Sequence, residues 1–519
     1  MIKIEKFKMH FDGETYDCKA PCSMYSVLFE NGKIENPYYR DNANALTWLA
    51  EKDCKFTTEF VLSEEEFKKE NLQITFSRVD TLADIYVNGR FFTHIENAHR
   101  AFSFDARDYL RVGNNQIEIE ISSPVKYLLK KNGDMRIISN GRLGGTMDGY
   151  SHLRKPAYSF GWDWSPQLPD MGVYGGISVR AFDNKIEQVT FTQKHGDDFV
   201  DVKLLVETFT GKGNCKAILT HPDGRKQEQT LVDGRGVLRV ENPELWHANG
   251  LGEQPLYEVK VVLTVDGKEL DVWRKKIGLR TLTVSFPIDE YGREFCFVLN
   301  GHKIFSFGAC YVPMDNIYPF YTKERTRKML EDCKKANFNC VRVWGGGFYP
   351  DDDFYDLCDE LGLIVYSDMM FACQAFFLSE NFHKNIYAEA VEQVKRIHHH
   401  ACLGLICGNN EMERAAPYWH KDCGIYENGF TIANDYFEFC ERDMRSIMEK
   451  YAPDTFYWPS SPSAGGGGYQ ADDENYGDYH YWGNLCADLP LEEFREHYIR
   501  FCSEFGMQAF PDFKTIERT

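Results

Sequence analysis

Two glutamates stand where apolar runs give out. In "LICGNNE" the residues Leu405, Ile406 and Cys407 read as a strand buried on both faces, and Glu411 follows two asparagines at its end. Glu504, in "SEFG", lies in a second strand-like segment over 501–511. Two carboxylates facing each other across a cleft suit glycosidic bond cleavage. One, protonated, gives its proton to the leaving oxygen, and the other, ionised, attacks or supports the anomeric carbon. Their surroundings must push the two pKa values apart. A lone glutamate at a strand end is ordinarily just solvated, so the reading rests on the pair. Asn410 offers an amide to a sugar hydroxyl, while Trp344, Trp458, Tyr481 and Trp482 offer flat apolar faces to sugar rings. Trp344 precedes Gly345, Gly346 and Gly347, which open space for a ligand; a core tryptophan is the alternative. Asp368 reads equally as a sugar contact or as a buried partner of Arg342.

The elements that must hold these groups follow from the pattern of the chain. From residue 286 onward strands and helices alternate, with strands expected at 305–312, 339–347, 363–372, 402–411, 456–462, 477–483 and 501–511. One helix is well marked. Pro350 and three aspartates form its first turn, Phe354, Leu357, Cys358 and Leu361 make an apolar face, and Gly362 ends it. Further helices are expected at 380–399, over "DYFEFCERDMRSIMEKY" and over "LEEFREHYIR". This grammar predicts a parallel (β/α) barrel, where catalytic residues sit at the C-terminal strand ends; Glu411 and Glu504 fall on the fourth and seventh strands. Before residue 286 the chain reads as β. "ADIYVNGR" ends in the hairpin signal Asn88-Gly89, "QIEIEIS" alternates Ile117, Ile119 and Ile121, and short strands recur over 184–285. The expected organisation is a jelly-roll, sugar-binding-like β-sandwich over 1–183, an immunoglobulin-like β-sandwich over 184–285, and a catalytic (β/α) barrel over 286–519. Gly465 to Gly468 read as a flexible loop near the barrel mouth.

Bulk composition removes several classes. A formal net charge of -20 repels phosphate backbones, so nucleic acid is not an expected partner. No apolar run is long enough to span a bilayer, and the first residues lack the apolar region of a signal peptide. The 16 cysteines lie mostly in apolar settings, which points to reduced thiols and a cytoplasmic setting. Three consecutive histidines, 398–400, point in different directions on a helix and cannot converge on one ion; no metal or cofactor is expected.

The motifs "GNNE", "SEFG", "VRVWGGG", "DLCDELG" and "YWPSSP" together resemble glycoside hydrolase family 2 over nearly the whole chain. "FGWDWSPQLP" is similar to a signature of its β-mannosidase branch. The resemblance implies a retaining exo-glycosidase that removes terminal β-mannose from β-mannosides or manno-oligosaccharides through a covalent intermediate. Glu411 would be the acid/base, Glu504 the nucleophile and Asn410 a hydroxyl ligand. Trp344 and Trp482 would wall the pocket with His480 and Tyr481, and Trp162 and Asp163 would reach in from the first domain. Another family 2 exo-activity, such as β-glucosaminidase, or an inactive sugar-binding fragment are the rivals. Ser165 stands where the family usually has glycine, and Pro350 where a glutamate is common. Seven barrel strands are counted where eight close a barrel, and the family's chain usually runs well beyond "SEFGMQAFP". The expectation is therefore a C-terminally truncated protein, open beside the nucleophile strand and weak or inactive. The alternative is closure by another segment, such as one from the partner in a homodimer.

Overall fold

The computed structural model describes residues 1–137, 146–416, 426–467, 471–487, 489–507 and 509–518. Gly468, the last glycine of the expected loop, lies outside them. Residues Ile2 to Phe182 form an antiparallel β-sandwich. One sheet is centred on Gly113–Ser122, which lies between Cys54–Leu62 and Leu82–Val87. The other places Ile177–Phe182 between Ile2–Ile4 and Asn71–Phe76. Alternation does this work: Ile117, Ile119 and Ile121 are buried while their neighbours face outward. The hairpin after Val87 turns at Asn88 and Gly89, both with positive φ, as a right-twisted two-residue turn demands. A second sandwich packs Ile186–His195, Phe199–Thr208 and Arg235–Glu241 against a four-stranded sheet around Asn214–Thr220 and Tyr257–Val265, with its own buried core.

The rest of the described chain holds seven short parallel strands: β1 (Gly308–Tyr311), β2 (Cys340–Val343), β3 (Ile364–Asp368), β4 (Leu403–Cys407), β5 (Phe456–Trp458), β6 (Tyr479–Tyr481) and β7 (Cys502–Phe505). β1 to β5 form one sheet in sequence order, and β6 and β7 a separate parallel pair. The thiol of Cys310 on β1 donates to the carbonyl of Ser503 on β7 at 3.1 Å, so the first strand lies beside the last. Helices α1 (Lys323–Lys335), α2 (Asp352–Leu361) and α3 (Glu380–Ile397) connect these strands. α2 ends at Gly362 in the left-handed region (φ 78°), as the sequence leads one to expect. Two helical expectations need correction. "LEEFREHYIR" forms only the 3-10 turn Leu491–Arg495, and the segment from 437 begins as the π-helix Phe437–Asp443 before the α-helix Met444–Tyr451. Among the described residues no helix is long and apolar enough to cross a membrane.

The first sandwich is riveted to α3 by buried polar groups. Arg154 pairs with Glu389 at 2.6 Å, with both side chains almost fully buried. Glu389 also accepts from Asn97 at 2.9 Å and Tyr349 at 2.9 Å. Beside them His99 is buried against Tyr349, its two ring nitrogens without hydrogen-bond partners among the described residues. Burial holds the His99 imidazole neutral and lowers its pKa to about 3, the nearby Glu389 only partly opposing this. The unfolded chain takes up that proton below its ordinary value of about 6.5, whereas the folded chain does not until about 3. Stability should therefore fall as pH drops from about 6.5, by up to about 1.4 kcal/mol per pH unit from this group. Thermal unfolding between pH 6.5 and 4.5 should show a shallower slope in His99→Phe than in the parent chain; equal slopes would remove His99 as a cause.

Candidate active site

Glu411 owes its position to the two asparagines before it. β4 ends at Cys407, and Gly408 passes so close to the carbonyl of Pro459 that a Cβ would lie 2.3 Å from it. The Asn409 side chain then pins the turn, accepting from the amide of Met412 at 2.9 Å and the hydroxyl of Ser460 at 2.7 Å. Glu411 itself sits in the left-handed region (φ 59°) and gives its amide to the carbonyl of Ser461 at 2.7 Å. A non-glycine residue pays about 1–3 kcal/mol for that conformation, which the surrounding bonds must offset. Asn410 is turned inward; its side-chain oxygen accepts from Arg342 at 2.8 Å and its NH2 donates to the Cys373 thiol at 3.3 Å.

Glu504 projects from β7 into the same space. Arg342 on β2 donates to Glu504 Oε1 at 2.5 Å, and Trp482 Nε1 donates to Oε2 at 3.3 Å. Arg342 is anchored from behind by Asp368, at 2.7 Å. Asp368 is fully buried, so of the two readings open at the sequence level the structure favours the partner of Arg342. Burial raises the Asp368 pKa and Arg342 opposes that rise. Between the two glutamates stands His480, its Nδ1 2.9 Å from Glu411 Oε1 and 3.3 Å from Glu504 Oε2. One oxygen of each glutamate and a nitrogen of His480 all lie within 4.8 Å of one another. Cys373 adds a thiol hydrogen bond to Glu411 Oε2 at 3.2 Å. Burial alone would raise the Glu411 carboxyl, but His480, Cys373 and Arg414 outweigh it and hold the group below the ordinary carboxylate range.

The first domain reaches this site. A hairpin, Phe160–Trp162 paired with Ser165–Gln167, carries Asp163 and Trp164 at its tip. Trp162 and Trp164 both meet Trp344 edge to face, with centroids 4.9 Å and 5.5 Å apart. Asn316 ties the hairpin down by donating to Ser165 Oγ at 2.5 Å, a bond glycine could not accept. Burial raises the Asp163 pKa, and the negative charges of Glu504 and Glu411 raise it further. Trp344 belongs to the core, buried among Tyr158, Tyr174, Tyr318 and Phe348. The glycines after it make room for protein rather than for a ligand. A Cβ on Gly346 would strike the Trp344 ring at 1.8 Å, and one on Gly345 the carbonyls of Met369 and Phe371 at 2.7 Å.

Two aromatic expectations fail. Tyr481 neighbours His480 on β6, and alternate residues of a strand face opposite sides. With His480 turned inward, Tyr481 packs outward against His497 and Phe494, 4.3 Å and 5.2 Å away. Trp458 is buried against Phe295 and gives its N–H to Asp478 at 2.7 Å, so it offers no open face. Of the other expected residues, Glu411, Glu504, Asn410, His480 and Trp482 share one hydrogen-bonded cluster through Arg342 and His480, while Trp162 packs on Trp344 beside it. Two contributors escaped the sequence reading. Arg342 as partner of Glu504 had a signal, a charge inside an apolar strand that must be paired. Cys373 had none, since a cysteine after "MMFA" reads as a small hydrophobe.

A β-sandwich lending a loop to two carboxylates at parallel strand ends defines a site of the glycoside-cleaving class. Residues 6–175 match the model described as glycosyl hydrolase 2 galactose-binding domain-like, and residues 182–280 match that of glycosyl hydrolases family 2. The chain belongs to glycoside hydrolase family 2. It is 30% identical over 527 residues to β-mannosidase B of Aspergillus fumigatus, covering 96% of this chain and 60% of that protein. The crystal structure of β-D-mannosidase from Dictyoglomus thermophilum superposes with a TM-score of 0.88 at 30% identity, covering 100% of this chain and 64% of that one. The exo-chitosanase of Amycolatopsis orientalis shares the fold alone, at a TM-score of 0.65 and 15% identity over 89% of this chain and 53% of that one. The chain thus spans about 60% of the length of the curated relatives it matches.

Proposed function

We propose that this chain carries the active site of a retaining exo-β-mannosidase. The observation that carries this is the approach of a Glu411 oxygen to a Glu504 oxygen within 4.8 Å. Retaining enzymes hold the two carboxyl groups about 5–5.5 Å apart, whereas inverting ones leave about 6.5–9.5 Å for a water. Glu504 attacks the anomeric carbon from a fixed rotamer, since Arg342 holds one of its oxygens. Glu411 protonates the departing oxygen and later takes a proton from the water that releases the sugar. The seven parallel strands are read as part of a (β/α)8-type barrel with its mouth at the carboxyl ends of β4 and β7. The likeness to named β-mannosidases supports mannose as the sugar.

The test is turnover of phenyl β-mannoside beside phenyl β-glucosaminide, with the first-formed product observed by NMR. Mannoside preference and β-mannose as the first anomer are expected. Release of the α anomer, or preference for the glucosaminide, would overturn the reading. Asp163 binds hydroxyls remote from the cleaved bond in this scheme. Losing a charged hydrogen bond of about 1.5–3 kcal/mol should lower kcat/KM of Asp163→Ala by about 10- to 150-fold. An unchanged kcat/KM would take the first domain out of substrate binding.

A further inference from the structure

We propose that His480 stores the proton that Glu411 delivers, so that the working acid is a Glu411–His480 pair rather than a lone carboxyl; this rests on the glycosidase reading above. The hydrogen-bond chain behind His480 fixes its chemistry. Asp478 is fully buried and its Oδ2 accepts from Ser461 Oγ at 2.5 Å and from Ser503 Oγ at 2.6 Å. Ser461 has one hydroxyl proton, which goes to Asp478 at 2.5 Å rather than to the more distant Ser503 Oγ at 3.2 Å; with either acceptor its oxygen, 3.0 Å from His480 Nε2, is left to accept. Nε2 of His480 therefore keeps its hydrogen in both protonation states. Nδ1 is the nitrogen that gains or loses a proton, and it is the one facing Glu411 Oε1 at 2.9 Å.

The proton between Nδ1 and Oε1 belongs to the pair. In the empty site it lies on His480, because Nδ1 faces two carboxylates. Burial disfavours the imidazolium, but the charges of Glu504 and Glu411 outweigh both burial and the opposing Arg342, and hold His480 above its ordinary value. Asp368 and Asp472 also feel the His480 charge, and Arg414 stands 3.9 Å from Glu411. In the first half-reaction the proton passes from Nδ1 to Glu411 and on to the glycosidic oxygen. The bond from that oxygen to the anomeric carbon breaks as Glu504 bonds to the carbon. Glu504 loses its charge in that bond, which removes one of the two reasons for His480 to stay cationic. In the second half, water loses a proton to Glu411, its oxygen bonds to the anomeric carbon, the Glu504 ester breaks, and the restored carboxylate draws the proton back to Nδ1. His480 acts through Glu411 and is a positioning residue, not a group that touches the reacting atoms.

The chain labelled with ¹⁵N-histidine tests where the proton sits, without need of activity. The His480 Nε2 signal should stay in the protonated range throughout a pH titration while Nδ1 carries the change, with a midpoint above 6.5 that falls in Glu411→Gln. A neutral His480 protonated at Nδ1, or a midpoint indifferent to Glu411, overturns the proposal. Kinetics test its use. In His480→Asn the alkaline limb of kcat/KM for phenyl β-mannoside, whose leaving group needs a proton, should move at least one pH unit lower. The limb for 2,4-dinitrophenyl β-mannoside, whose leaving group needs none, should not move. Equal losses on both substrates with unmoved limbs would show a merely structural residue and overturn the storage role. If the parent chain turns over neither glycoside while the NMR pattern holds, the functional reading fails and the proton assignment stands.

Discussion

Glu504→Gln should lower kcat on an aryl β-mannoside by about 10⁴- to 10⁶-fold, the scale seen when a covalent nucleophile is removed from a preorganised site. The substitution keeps the shape and an oxygen for Arg342, but an amide cannot form the glycosyl ester. Sugar binding should survive, because Trp344, Trp482 and Asp163 are untouched. Glu411→Gln should behave differently. Its loss should be about 10²–10⁴-fold with a phenyl leaving group and far smaller in the first half-reaction with 2,4-dinitrophenyl, which departs without a proton. Stopped-flow release of the phenol separates the two steps. A Glu504→Gln chain within tenfold of the parent, or equal dependence of both variants on leaving group, would reverse or remove the assigned roles.

Arg154→Met should cost about 3–5 kcal/mol of stability, the largest effect expected outside the reacting groups. Glu389 would be left buried and unpaired in the middle of the contact between the first sandwich and α3. Arg154 also donates to the carbonyl of Met370 at 2.7 Å and lies over the Phe371 ring, so it braces the segment leading to Cys373, which holds Glu411. Burial acts to raise the Glu389 pKa, but Arg154, helped by His99 and Asn97, holds it at about 2. That pairing contributes stability above the ordinary carboxylate value and loses it as pH falls from about 4.5 towards 2. Without Arg154 the unopposed burial should raise the carboxyl above its ordinary value, so it protonates sooner and the deficit should shrink as pH falls. The double variant Arg154→Met with Glu389→Met should recover more than half of the loss, because an apolar pair of similar volume escapes the desolvation cost. Urea unfolding of the three chains at two pH values measures all of this. A single variant within about 1 kcal/mol of the parent would show that the two domains hold together without the pair.

Short local patterns of residues encode faces, turns and helix ends. Period-two alternation placed Ile117, Ile119 and Ile121 on a buried face, and Asn88-Gly89 set a turn because both residues tolerate positive φ. Apolar runs ending in Asn-Asn-Glu and Ser-Glu-Phe-Gly marked two strand ends where carboxylates can face a cleft, and Gly362 stopped a helix in the left-handed region. The tertiary structure decided who meets whom. Arg342 finds Glu504 across 162 positions of chain, and Arg154 finds Glu389 across 235, through strand order and domain packing that no local window contains. Which of His480 and Tyr481 faces inward depended on the parity of β6 relative to β7. A tyrosine and a histidine are equally plausible on either face until neighbouring strands fix the register. The three glycines after Trp344 showed only that space was needed; the packed structure showed that the space is filled by the tryptophan ring and the backbone of 369–371. Composition and spacing fix the faces that must be buried and the charges that must be paired. The partners are chosen by long-range packing, because hydrogen bonds and ion pairs of a few ångströms are made between groups the chain brings together only once it has folded.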